Sequence, residues 1–496
     1  MVVISADEPG LHSSQNEQDN RNYAKAAKIP MFEPSTSQES KDMVIDAYQL
    51  SEDNDIPVMI RMTTRVCHSK SLVTCGERTG APIKKYVKNV QKYMAVPMYS
   101  RVMRVKLEGK LAKLKEFSEA TPLNRIENNG KKTGVIVCGM AYCYAKEVFG
   151  NEVNYLKLGF THPLPDKLIS KFCEENEKIY VIEENDPYIE EAVKALGYKC
   201  LGKEVFPFTG ELTPDVIRKS VYGEGYETVE HSKGKIVPRP PVLCAGCPHR
   251  GLFYELGKRK NTVIAGDIGC YGLCFAPPYN ATDFNVCMGA SLSAGHGAQK
   301  AFDKQEGGIR VASVLGDSTF FHTGINSLIE VLYNNSRTVN IILDNRITGM
   351  TGHQENPGTG RKADLSPAVI IDIEQVVRAL GAKNVRVINP NDLKSVKETL
   401  EWAFSLDEPS VIITRWPCVL KNFSQEDERE FPDAFKDKAF VEADKCVSCG
   451  LCLKCGCPAL SLQRDTKKSK IDSLRCVGCD VCVQICPKQA IRKESK

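Results

Sequence analysis

Apolar residues in this chain fall into short runs separated by longer, periodically apolar stretches. Val2, Val3 and Ile4 read as a strand that breaks into a turn at residues 7–10, an interior piece of an α/β unit. "PVMIRMTTR" (57–65) is another strand in a first block, 1–110, where strands alternate with polar helices. From Thr133 the pattern is strand "GVIVCGM", strand "VNYLKLG", helix "LPDKLISKFCEEN", strand "KIYVIEE" and helix "YIEEAVKALG". Strands alternating with amphipathic helices predict a parallel sheet. A Pro- and Lys-rich linker, 231–241, then leads to a third α/β block over 242–419.

Within that block, 311–315 reads as a strand, Gly316-Asp317-Ser318 as a tight turn, and 339–343 as the next strand, ending in Asp344-Asn345. Phe320, Phe321, Ile325, Leu328, Ile329 and Leu332 are expected on one face of the intervening helix. A right-handed crossover sets the two strands parallel, so their carboxyl ends share one crevice. Asp317 and Asn345 can then meet at one hard cation, with the backbone carbonyl of Ile347 as a third oxygen. Oxygen ligands completed by phosphates suit Mg²⁺.

The 66 basic and 62 acidic residues nearly cancel, and no basic arm argues for nucleic acid. No run approaches the roughly 20 apolar residues of a membrane span, so a cytoplasmic protein is expected. Cysteine changes the picture: of 21, nine crowd into 446–486. There "CVSCGLCLKCGCP" (446–458) and "CVGCDVCVQICP" (476–487) repeat a C-x2-C-x2-C unit followed by Cys-Pro. Three thiolates at that spacing wrap one cubane and the remote Cys reaches the other. Cys446, Cys449, Cys452 and Cys486 are assigned to one [4Fe–4S] cluster, and Cys476, Cys479, Cys482 and Cys457 to the second. Cys455 competes with Cys457, which is preferred because a proline follows it. Zinc, with four ligands in paired C-x2-C units, leaves the third cysteines unexplained. The tail resembles bacterial-type two-cluster ferredoxins.

The stretch from Gly316 to Asn345 resembles the diphosphate-binding motif of thiamine-diphosphate enzymes. "HSSQNEQDNR" (12–21), "TTRVCHS" (63–69), "CAGCPHRGLFYEL" (244–256), "AGDIGCYGLCFAPP" (265–278) and "NVCMGASLSAGHGAQKA" (285–301) resemble the 2-oxoacid:ferredoxin oxidoreductases of the indolepyruvate type. The resemblance runs along the whole chain. It implies an α/β protein of several parallel-sheet thiamine-diphosphate-enzyme domains with a ferredoxin domain behind them. The expected blocks are a pyrimidine-binding domain truncated at its start (1–115), a transketolase-C-like domain (130–230), a diphosphate and Mg²⁺ domain (240–422) and a two-cluster domain (438–496).

The implied activity is oxidative decarboxylation of an arylpyruvate with coenzyme A, the electrons leaving through the clusters to a ferredoxin. Thiamine diphosphate stabilises the carbanion left by loss of CO₂. A smaller beta subunit is the implied partner. Gly269, Cys270, Met288 and Gly289 are expected at the cofactor. His249, His322 and His68 are the candidate catalytic histidines, each with a structural role open beside it. Cys244 and Cys247 make half a zinc site with no second pair nearby, and "EENDP" (183–187) reads as a helix-entry turn. Family members begin with a further segment that carries the glutamate which activates thiamine. Val2, Val3 and Ile4 are therefore expected to lack neighbours on this chain, and another chain is one expected source of the missing part. An electron-transfer subunit without decarboxylation, or an enzyme for another 2-oxoacid, stay open as alternatives.

Overall fold

Parallel pairing dominates the three larger sheets of the computed structural model, which describes residues 1–12, 14–78, 80, 83–227, 237 and 239–493. Most of the expected linker, and His231, lie outside the described residues. The chain divides into two compact units, Met1–Lys233 and Gly234–Lys496.

The first unit holds two four-stranded sheets. In one, β1 (Val2–Asp7), β2 (Met31–Phe32) and β3 (Val58–Thr63) are parallel, in the order β1-β3-β2. The second is built on β4 (Asn124–Glu127), β5 (Thr133–Cys138), β6 (Asn154–Leu158) and β8 (Lys178–Ile182), ordered β4-β6-β5-β8 with only β4 antiparallel. β7 (Phe160–His162) follows β6 after one residue but joins the first sheet, antiparallel to β2. The Asn124 amide makes that switch: its Oδ1 accepts from the Gly159 and Phe160 N–H, while Nδ2 donates to Ser118 and Phe160 carbonyls. The two blocks expected as separate domains therefore share a sheet.

β5 shows why its run is uninterruptedly apolar. Val135 and Val137 pack with Phe149, Tyr180 and Phe206 on one face, and Ile136 with Leu156, Phe172 and Val181 on the other. Successive side chains alternate across a strand, so a sheet covered on both sides demands both sets. β1 corrects the expectation of missing neighbours: it pairs with β3 along its whole length, Val2 to Val58 through Asp7 to Thr63. Its other edge is open among the described residues, and Ile4 is exposed there.

The same unit buries two arginines on carboxylates. Arg21 is fully buried, paired with Asp19 and, at 2.6 Å, with Glu183, and it donates to the carbonyls of Glu184 and Asp186. Arg61 bridges Asp7 and Glu33 at 2.6 and 2.7 Å. Glu183 also accepts from the N–H groups of Ile189 and Glu190, capping the helix Tyr188–Ala195, so "EENDP" is a helix entry and an ion-pair anchor at once.

The second unit is organised on an all-parallel five-stranded sheet. It comprises β9 (Thr262–Ala265), β10 (Arg310–Gly316), β11 (Val339–Asp344), β12 (Asn384–Ile388) and β13 (Ser410–Arg415), in the order β12-β13-β11-β10-β9. The tail adds two antiparallel pairs, β14 (Ala439–Val441) with β17 (Ile491–Lys493) and β15 (Leu460–Leu462) with β16 (Ser469–Ile471).

After β10 the expected turn and single helix are replaced. Asp317 opens a helical turn, Phe320–Gly324 is a π-helical turn, and Ile325–Tyr333 continues as α-helix. The wider turn takes an extra residue and rotates the later side chains about the axis. Leu328 and Val331 are fully buried, whereas Ile329, expected on the inner face, is 45% exposed. Among the described residues no helix is long and apolar enough to cross a membrane.

Replacing Arg21 with Met strands Asp19 and Glu183 as buried, uncompensated charges. The first unit is expected to lose about 3–5 kcal/mol of stability, read as faster hydrogen exchange in β5 and β8 and a lower urea midpoint; Arg21→Lys should lose less.

Candidate thiamine-diphosphate and iron–sulfur sites

β10 and β11 lie side by side, Gly316 opposite Leu343, so Asp317 and Asn345 emerge together at their carboxyl ends. An open pocket lies there. Gly316, Asp317, Ser318, Asn345 and Ile347 line it from this sheet edge, and His249, Gly269, Cys270 and Met288 from the preceding loops. Met288 is 40% exposed, a cavity wall and not a core side chain.

Asp317 is 3% exposed. Its Oδ1 accepts from the Ser318 N–H at 2.7 Å, but Oδ2 is buried without a hydrogen bond. The neighbouring Asn356 Nδ2 is unpartnered as well. Burial and the nearby Asp344 carboxylate push the Asp317 carboxyl up to about 8, against the opposing Ser318 N–H, Asn356 amide and Ile347 N–H. A buried carboxylate oxygen without a well-formed hydrogen bond fits a cation. Asn345 Oδ1 accepts from the Ile347 N–H at 3.2 Å and keeps a second lone pair. The residues present thus suit Mg²⁺ and a diphosphate.

Asp267 and Tyr271 fix this geometry, and neither carried a sequence signal of its own. Buried Asp267 accepts from the Ile268 and Gly289 N–H groups, tying together the two glycine-bearing loops. Gly289 has φ +89°, and a Cβ there would come within 2.5 Å of Thr323. It braces the site from outside the lining. The Tyr271 hydroxyl accepts from the Gly316 N–H at 3.0 Å and donates to the Ile268 carbonyl, while its ring meets His249 edge-on.

The three histidines separate. His249 is buried in the first turn of the helix His249–Leu256, and burial lowers its pKa to about 4. It is a neutral imidazole whose Nε2 lies 3.5 Å from Asn345 Nδ2. His322, expected to face the active site, is exposed outside the cavity and turned to Thr323 Oγ1 by the π-helical turn that carries it. His68 belongs to the first unit, where it borders a polar cavity with Asp7, His12 and Cys67.

In the tail, Cys446, Cys449, Cys452 and Cys486 line one pocket. Backbone N–H groups of Ser469 and Ala490 donate to the sulfurs of Cys446 and Cys486. Cys457, Cys479 and Cys482 pack together around Val481, and Cys476 joins Cys457 and Cys482 in the adjoining core. Cys455 is fully buried in the same group, so both contenders for the fourth ligand stand beside Cys479 and Cys482. Among the described residues no three His, Cys, Asp or Glu side chains close on a point that would hold a single ion. Four thiols gathered around one pocket suit a cubane, which spreads its thiolates around a larger body than a single ion.

Cys244 and Cys247 are not alone. Cys270 and Cys418 lie within electrostatic reach of them and of each other. The Cys418 N–H donates to the Asn345 carbonyl at 2.9 Å, which places it next to the cation loop. These four cysteines span some 170 positions of sequence (244–418), so no local spacing announces them.

A thiamine-enzyme sheet and a ferredoxin-like tail in one compact unit define a thiamine-dependent oxidoreductase subunit. Residues 267–414 match the family model described as the C-terminal TPP-binding domain of thiamine pyrophosphate enzymes, and 469–492 match a 4Fe-4S binding domain. Indolepyruvate oxidoreductase subunit IorA of Methanothermobacter marburgensis is 39% identical over 100% of this chain and 82% of its own length. The subunits IorA of Pyrococcus abyssi and Archaeoglobus fulgidus are 36% and 35% identical, over 99% of this chain and 82% and 81% of theirs. The chain belongs to this IorA family.

Asp317→Asn should abolish Mg²⁺-dependent thiamine diphosphate binding, measured by calorimetry, while leaving the visible absorbance of the tail clusters intact. The Asp317 pKa is raised on folding, so the stability it contributes is full below the ordinary carboxylate range and is lost as pH rises through about 8. Mg²⁺ must displace that proton. Affinity is expected to rise between pH 6 and 8, by at most about tenfold per unit, and to level off above.

Proposed function

We propose that this chain is the large subunit of an enzyme that oxidatively decarboxylates aryl 2-oxoacids, indolepyruvate first among them, to the aryl-acetyl-CoA. Coenzyme A is the acyl acceptor, a smaller beta subunit the partner and a ferredoxin the electron acceptor. The observation that carries the reading is the presence of the Asp317–Asn345 crevice and the cysteine-lined tail within one compact unit, Gly234–Lys496.

When bound, thiamine diphosphate supplies the electron sink for a decarboxylated 2-oxoacid. The chain's own part is to hold and orient. Asp317, Asn345 and the Ile347 carbonyl take Mg²⁺, and Gly269, Cys270, Gly316 and Ser318 face the diphosphate. Met288 packs against the cofactor, with Gly289 holding its loop. His249 presents a neutral imidazole whose Nε2 is positioned to hold Asn345 in place. The tail takes two [4Fe–4S] clusters.

Ferredoxin reduction by the chain co-expressed with its beta subunit tests the reading. With CoA, indolepyruvate should support a higher kcat/KM than pyruvate. Ferredoxin reduction from dithionite without turnover of any 2-oxoacid would leave only the electron-transfer alternative. Iron analysis should find two four-iron clusters per chain, falling to one in Cys479→Ser.

A further inference from the structure

Arg250 is completely buried and, among the described residues, forms no ion pair with any carboxylate. Its partners are neutral. Nη1 donates to the Tyr279 hydroxyl and to the Cys455 carbonyl at 2.6 Å, and Nη2 to the carbonyls of Leu243 and Cys244 at 3.1 and 2.7 Å. Nε has no partner. Tyr279 repeats the contact, donating to the same Cys455 carbonyl at 2.6 Å. The side chain thus ties the loop that ends at His249 to the tail segment carrying Cys455 and Cys457. A buried guanidinium held only by neutral acceptors is costly unless an anion lies close. The ionisable groups nearest to it are the Tyr279 hydroxyl and the thiols of Cys457, Cys247 and Cys455, of which the thiols would carry negative charge only on binding a metal cluster.

We propose that Arg250 is the counter-charge of the tail cluster bound by Cys476, Cys479 and Cys482, and that it raises that cluster's reduction potential. The inference rests on the tail being a two-cluster domain, as proposed above. A [4Fe–4S] cluster on four thiolates is an anion, and reduction adds one electron and a further negative charge without exchanging a ligand. A fixed cation in a dry site favours the reduced state. Net charge is one of the means by which a protein sets such potentials, and Arg250 supplies it from a position fixed by its hydrogen bond to the Cys455 carbonyl. It is a positioning residue, acting on the cluster and not on the substrate.

The test is an EPR-monitored redox titration of the holoprotein in wild type, Arg250→Gln, Arg250→Met and Arg250→Lys. The neutral variants should lower the midpoint of one tail cluster at least tenfold in its reduction equilibrium, 59 mV for a one-electron couple. Cys479→Ser should remove that signal and Cys449→Ser should not. Arg250→Lys, which keeps the charge, should stay near wild type. If the neutral variants fail to assemble the cluster while Arg250→Lys does, the counter-charge role stands. Unchanged midpoints in Gln and Met, or a Lys variant that behaves like them, would overturn it. A wild-type tail without any cluster signal would instead refute the two-cluster reading itself.

Discussion

One carboxylate sets the terms for the second unit. Asp317 leaves the sheet at the end of β10, becomes almost fully buried and keeps one oxygen without a well-formed hydrogen bond. A buried carboxylate left in this way is costly, and a bound cation would offset that cost. The surroundings are built to keep it there. Tyr271 pins the Gly316 N–H, Asp267 holds both glycine loops, and the neutral His249 imidazole braces Asn345. A cation at Asp317 would complete the set, and its charge would reverse the balance that now favours the protonated acid.

The second organising feature is the continuity from cavity to tail. His249 lines the cavity, the next residue reaches the tail backbone, and Gln484 of the tail donates to the Asn391 carbonyl of the sheet domain at 2.7 Å. Gly251 belongs to the same contact: a Cβ there would lie 1.9 Å from the Pro390 carbonyl. The ferredoxin-like segment is therefore packed on the thiamine-type sheet domain as part of its body and not hung from it on a tether. Electron transfer benefits from such a fixed path, because its rate falls steeply with distance.

Legibility from sequence followed locality. The meeting of Asp317 and Asn345 was readable because both sit at strand ends, and the gathering of Cys446, Cys449 and Cys452 because their spacing is local. What failed depends on long-range or helical detail. The π-helical turn at Phe320–Gly324 turned Ile329 and His322 outward, and no residue pattern marks an inserted turn. β7 changed sheets because one amide, Asn124, offered four backbone hydrogen bonds. Asp267, Tyr271, Arg250 and the set of Cys244, Cys247, Cys270 and Cys418 become visible only when distant segments are brought together.

The central claim is that the crevice between β10 and β11 holds a divalent cation and a diphosphate on Asp317. Phosphorus ENDOR of the chain loaded with Mn²⁺ and thiamine diphosphate reads this directly. The account predicts a phosphorus coupling to Mn²⁺ that disappears in Asp317→Asn. Mn²⁺ bound without any phosphorus coupling, or a coupling unchanged in that variant, would contradict it.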